Sequence, residues 1–208
     1  MKHAPLNHNS LARRVKLLAA QHAELGFIFA TFGPPPLWAR EPGFPTLVHI
    51  ILEQQVSLAS AKAAFDKLHA TIQPVTPQRF LTLDDAELKT IGFSRQKTLY
   101  ARLLAEAITD GALDLTALPT MNDEAVRETL TKLKGIGNWT VDIYLLMVLL
   151  RPDVWPKGDL ALAVALQKLK KMKARPTPDE LEAIAENWKP HRAVAARMLW
   201  HYYLSERR

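Results

Sequence analysis

Apolar residues recur along this chain at helical spacing. From about Ser10 to Ala30, Leu11, Val15, Leu18, Ala19 and Leu25 share one side of a 3.6-residue repeat, which predicts one amphipathic helix. Gly33-Pro34-Pro35-Pro36 stops it, because each proline fixes φ and removes a backbone donor. A second apolar helix is predicted from about Pro45 to Gln54, and Ser57 reads as the N-cap of a third that continues through Phe65 to about Ala70. Thr76-Pro77 places a cap before a proline at the first helical position. Asp84 with Glu87 and Thr177 with Glu180 have capping-box spacing, Pro178 fitting the first turn. Asn122 precedes Asp123 and Glu124, two acids suited to the positive end of a helix. No stretch sustains apolar–polar alternation. The pattern predicts an all-α protein.

The proline-rich stretch near residues 33–45 and the Arg151–Gly158 loop are the expected lobe boundaries. One lobe would span about 44–150, and the other would combine 1–43 with 151–208. A cleft between lobes is a common place for a ligand. With 208 residues and 48% hydrophobic content, the chain is large enough for one sizeable core and too apolar for disorder. Its formal net charge of +6 favours a polyanionic partner without requiring one. The absence of cysteine excludes disulfides, thiolate zinc sites, cysteine nucleophiles and cysteine-ligated iron–sulfur clusters. The start, MKHAPLNHNSLARR, has no apolar core of signal-peptide type. The longest apolar run, Ile143 to Leu150, falls far short of the roughly 20 residues that span a bilayer. No membrane association and a cytoplasmic location are the expectations.

Residues 133–159, LKGIGNWTVDIYLLMVLLRPDVWPKGD, carry the most chemistry. Gly135 and Gly137 flank Ile136 between two predicted helices, where glycine permits φ > 0 and lets another chain approach closely. The helix that follows starts near Asn138, so its first N–H groups point outward as an anion site. Gly-x-Gly is also what a plain helix C-cap and helix–helix turn would show. Asp159, in Trp155-Pro156-Lys157-Gly158-Asp159-Leu160, is equally an N-cap aspartate before LALAVAL. Capping and chemistry are compatible, because an aspartate held at a helix start is ionised and well placed. A nucleic-acid backbone held beside one carboxylate is the arrangement that breaking a base–sugar bond requires.

On these residues the chain resembles the helix-hairpin-helix (HhH-GPD) DNA glycosylase superfamily, most nearly its 3-methyladenine DNA glycosylase II branch. The resemblance runs from about Phe44 to Leu204, through FPTLVHIILEQQVSLASA (44–61), IGFSRQKTLYARLLAEAI (91–108), LKGIGNWTVDIY (133–144), WPKGDLAL (155–162) and WKPHRAVAARMLW (188–200). It implies a two-lobed helix-hairpin-helix fold with the active site in the inter-lobe cleft. It also implies hydrolysis of the N-glycosidic bond of alkylated purines of the 3-methyladenine type, in base excision repair of double-stranded DNA by a monomer.

The resemblance assigns roles residue by residue. Asp159 would be catalytic. Alkylation at a ring nitrogen makes the purine a cationic leaving group, so the remaining demand is to stabilise oxocarbenium charge on the sugar and orient water. Similar enzymes that also cut the strand have a lysine two residues after the second hairpin glycine; Trp139 stands there, which implies no lyase step. Trp139 would line the base pocket, its indole face attracting a cationic base by very roughly 0.5–2 kcal/mol. Trp188 and His191 are further pocket candidates, His191 standing where some relatives have an aromatic residue, and Trp188 is as well suited to the core. Gln55 is the candidate to fill the gap left by an extruded nucleotide. Glu53 departs from the glycine usual before the Gln54-Gln55 pair, and Lys134 from a common proline. Lys134, Gly135, Ile136, Gly137 and Thr140 would hold DNA. The backbone carbonyls of Thr131, Leu133 and Ile136 match a monovalent Na or K ion site, with no other cofactor required. Tyr144 reads as packing, the Lys168–Arg175 basic run as a solvated face, and Trp38 and Trp200 receive no role. A lesion-recognising binder without chemistry and a glycosylase for oxidised or mismatched bases are the alternative readings.

Overall fold

The computed structural model describes residues 4–206, so residues 1–3 and 207–208, assigned above to the second lobe, lie outside it. It contains helices α1 (His8–Gln21), α2 (Ala23–Phe32), α3 (Phe44–Glu53), α4 (Leu58–Thr71), α5 (Pro77–Leu81), α6 (Asp85–Ile91), α7 (Arg95–Thr109), α8 (Asp123–Thr131), α9 (Asn138–Met147), α10 (Leu160–Leu169), α11 (Pro178–Ala185) and α12 (Arg192–Ser205). Two short 3-10 turns, Leu118–Thr120 and Glu186–Trp188, complete it, and no strand occurs among the described residues. The expected starts are all present. Ser57, Thr76 and Asn122 cap α4, α5 and α8 through their side chains, and Asp84/Glu87 and Thr177/Glu180 form full capping boxes.

The single helix predicted from Ser10 to Ala30 is two. At His22 the backbone is extended (φ −130°, ψ 112°), and its N–H closes α1 onto the Leu18 carbonyl before α2 begins. Gly26 shows why the pair can fold back: a Cβ there would stand 2.7 Å from the Ala19 carbonyl oxygen. Periodicity persists through such a corner because both helices bury one face, Leu11, Val15 and Leu18 on α1 and Leu25 and Ile28 on α2. The predicted proline stop holds, with α2 ending at Phe32 and Gly33 capping it at φ 75°.

The structure divides into two compact units. One comprises residues up to Ala39 and from Leu145 onward; the other is Arg40–Tyr144, the second division falling inside α9. The sequence boundaries expected were 43/44 and 150/151. In the first unit α12 is the central helix, apolar almost all round, with Ala193 to Leu199 buried without interruption. Arg197 lies in that run at 0% exposure. Its guanidinium donates to the carbonyls of Leu37 (2.9 Å), Ala193 (3.0 Å) and Leu146 (2.6 Å), so its buried donors are satisfied by backbone. In the second unit α3 is the buried helix, contributing Phe44, Leu47, Val48, Ile50, Ile51 and Leu52; Phe44 meets Phe80 edge-on, and Phe80 lies tilted against Phe93. No helix among the described residues is long and apolar enough to cross a membrane.

Candidate active site

The hairpin of the second unit is built as a clamp between α8 and α9. Arg127 on α8 pairs with Asp142 on α9 at 2.5 Å, the carboxylate being almost wholly buried. Ile136 is 3% exposed and plugs the corner, its N–H closing a turn onto the Leu133 carbonyl. The two glycines do different work. Gly135 adopts φ 93°, and a Cβ on it would stand 2.0 Å from the Tyr100 ring, which lies across the turn. Gly137 is exposed, and a Cβ on it would meet nothing within 4 Å. The fold therefore demands glycine at 135 only; at 137 the missing side chain keeps the outer face of the helix start clear. Asn138 and Lys134 are exposed beside it and Trp139 is half-buried on the first turn of α9.

Thr140, expected to meet phosphate, faces inward. It is 2% exposed, and its hydroxyl accepts from Gln54 Nε2 at 3.0 Å. The same amide donates to the Gly135 carbonyl at 2.9 Å. Gln54 thus ties the turn after α3 to the hairpin, a role signalled beforehand only by a polar residue beside the plug candidate. Gln55 follows it, exposed and in the left-handed region at φ 57°, and Val56 and Leu58 beyond it are also exposed. A side chain displayed on a strained turn is suited to entering a base stack. Lys97 braces the turn from the other side by donating to the Leu52 carbonyl at 2.7 Å, and burial holds its ammonium below the usual lysine range. Glu53 does not oppose DNA with an unbalanced charge, because Arg40 grips it with two bonds of 2.7 and 2.9 Å. Gln54→Ala is expected to remove about 1–2 kcal/mol of stability, since two partly buried acceptors lose their donor. The same loosening of the Gln55 turn should weaken duplex binding. Urea denaturation and fluorescence anisotropy check both, and unchanged affinity would remove Gln54 from the DNA-holding assembly.

In the first unit Asp159 is the N-cap of α10 and 8% exposed. Its Oδ1 accepts from the Leu162 N–H at 3.0 Å and from the Trp200 indole N–H at 3.1 Å. The loop before it is set by Gly158 at φ 81° and by Lys157, whose ammonium bonds Asp179 (2.8 Å) and Glu182 (2.6 Å) near the start of α11. Those two carboxylates hold the Lys157 ammonium above the ordinary lysine range. Asp159 is therefore both a helix cap and an oriented carboxylate, and neither description displaces the other.

The pocket candidates separate. Trp188 is 1% exposed and packs on Trp155 with ring centroids 5.6 Å apart, so it is core and does not line a pocket. His191 is half-buried at the head of α12, where its carbonyl accepts from Val194 and Ala195. Tyr144 is packing, as read; burial pushes its phenol up to about 12. Part of the basic run is already paired, Lys170 with Glu24 at 3.1 Å. Thr131 and Leu133 lie where α8 ends and its last carbonyls lack helical partners. The Leu133 carbonyl accepts the Ile136 N–H at 3.1 Å. No cluster of three or more His, Asp or Glu side chains fit for a metal occurs among the described residues.

The sequence pattern of the HhH-GPD superfamily of base excision DNA repair proteins matches residues 48–191, more than half of the chain and including both Gly135–Gly137 and Asp159. The chain is 30% identical to DNA-3-methyladenine glycosylase 1 of Schizosaccharomyces pombe over 77% of its own length and 72% of that protein's. A relative in Bacillus subtilis is 29% identical across 85% of the chain, which spans 64% of that longer protein. The solved structure of a Schizosaccharomyces pombe 3-methyladenine DNA glycosylase in complex with abasic DNA superposes with a TM-score of 0.83 at 25% identity, covering 90% of this chain and 95% of that one.

Proposed function

The chain belongs to the HhH-GPD superfamily of base excision DNA repair proteins, and from that premise we propose that it is a DNA glycosylase for alkylated purines, hydrolysing the N-glycosidic bond and leaving an abasic site. The observation that carries the reading is the Asp159 carboxylate, which caps α10 and whose Oδ1 accepts two N–H donors from different parts of its unit. Similarity to proteins named as 3-methyladenine glycosylases supports the choice of substrate class.

A purine methylated on a ring nitrogen carries positive charge and departs without a strong general acid. Charge then develops on the deoxyribose, and a fixed carboxylate stabilises it because its orientation is set before the bond breaks. The same group orients or deprotonates the attacking water. The half-buried Trp139 indole offers a π face that favours a cationic base over a neutral one. The outward amides after Gly137 bind backbone phosphate at the start of α9, and Gln55 enters the space of the extruded nucleotide. A Na or K ion on the carbonyls of Thr131, Leu133 and Ile136 would reinforce the hairpin's positive end. Trp139 occupies the position where a nucleophilic lysine would stand, so the strand is left uncut.

Methylated duplex DNA incubated with the protein is expected to release free 3-methyladenine, and a labelled single-lesion strand should break only after alkali. Release of no base from any alkylated duplex would overturn the proposal, and strand cleavage without alkali would overturn its monofunctional part.

A further inference from the structure

Asp159 is not held by its own helix alone. The Trp200 indole N–H reaches its Oδ1 at 3.1 Å from a position 41 residues along the chain, and both residues are 8% exposed. An N-cap bond leaves a carboxylate able to pivot about its single bonds, whereas a second donor arriving at the same oxygen from another helix fixes its plane. Trp200 is itself constrained. Its ring meets that of Trp38 edge-on, with centroids 6.4 Å apart and planes at 73°. Trp38 adopts φ 49°, a conformation that a bulky residue keeps only where its surroundings impose it. Those surroundings include the carbonyl of Leu37, bonded at 2.9 Å by the fully buried Arg197 on the same helix as Trp200. By contrast, the indole N–H of Trp155 is buried with no hydrogen-bond partner among the described residues.

We propose that Trp200 is a positioning residue for the reaction: its indole N–H, set by Trp38, aims the Asp159 carboxylate at the sugar. The inference rests on the catalytic reading of Asp159. It assigns Trp200 an effect on the chemical step and none on DNA binding, which a core tryptophan would not produce.

The test replaces Trp200 with β-(3-benzothienyl)alanine, which keeps the shape of the indole and exchanges its N–H for sulfur, alongside Trp200→Phe. Single-turnover base release from a methylated duplex is measured at saturating protein, with thermal melting and affinity for an abasic-site duplex measured in parallel. The isosteric variant is expected to melt and bind as the wild type does while releasing base roughly tenfold or more slowly, the scale of one lost bond to a charged group. Adding Trp200→Phe to Asp159→Asn should cause no further slowing. Base release by the isosteric variant at the wild-type rate, with Asp159→Asn impaired, would overturn the positioning role alone. Wild-type release by Asp159→Asn would instead overturn the catalytic reading beneath it. The isostere remains decisive if Trp200→Phe fails to fold.

Discussion

Asp159→Asn is expected to slow base release about 100-fold or more while the protein folds and melts as before. The magnitude follows from removing a preorganised charge opposite developing positive charge, an effect commonly worth 10²–10³ in rate. The substitution preserves both hydrogen bonds seen on Oδ1. Asparagine is as good an N-cap as aspartate, and its carbonyl oxygen can accept both the Leu162 N–H and the Trp200 N–H that Oδ1 accepts now. What is lost is the charge and the capacity to take a proton from water. Parallel melting curves and single-turnover assays would check it; a large fall in melting temperature would mean that the aspartate is mainly structural.

The hairpin glycines should respond in opposite ways to the same methyl group. Gly135→Ala places a Cβ 2.0 Å from the Tyr100 ring on a backbone at φ 93°. Tyr100 must leave the turn or the turn must change, and we expect about 2–4 kcal/mol of destabilisation from the combined clash and backbone strain. Gly137→Ala meets nothing within 4 Å, so stability should hold to within about 0.5 kcal/mol. Its methyl instead stands on the open face that a phosphate must approach, and affinity for duplex DNA should fall several-fold or more. Denaturant midpoints and binding isotherms for the two variants separate fold from function at a motif where the sequence presents two equivalent letters.

That contrast also marks how far the sequence could be read. Helix starts were legible because a capping side chain bonds within three residues, as Ser57, Asp84 and Thr177 do. The hairpin and Asp159 were legible because glycine, a helix start and an acid have local meaning, sharpened by a family resemblance. Contacts that depend on how helices pack were not. The break at His22 lies inside an unbroken apolar repeat, and Gly26 explains it only once Ala19 is seen opposite. Trp188 has the composition of a pocket residue and the burial of a core one. Thr140 turned out to serve Gln54, and Trp200 to serve Asp159, across separations of 86 and 41 residues. Asp142 did carry a signal, as a lone acid in the apolar run of α9 that needed a cation such as Arg127.

In the proposed reaction labour is divided between a carboxylate that acts on the sugar and a hairpin that holds the strand. Single-turnover base release measured against protein concentration, for the wild type, Asp159→Asn and Gly137→Ala on one methylated duplex, tests that division most directly. The predicted result is a depressed plateau with unchanged half-saturation for Asp159→Asn, and a shifted half-saturation with unchanged plateau for Gly137→Ala. An Asp159→Asn plateau equal to that of the wild type would contradict it.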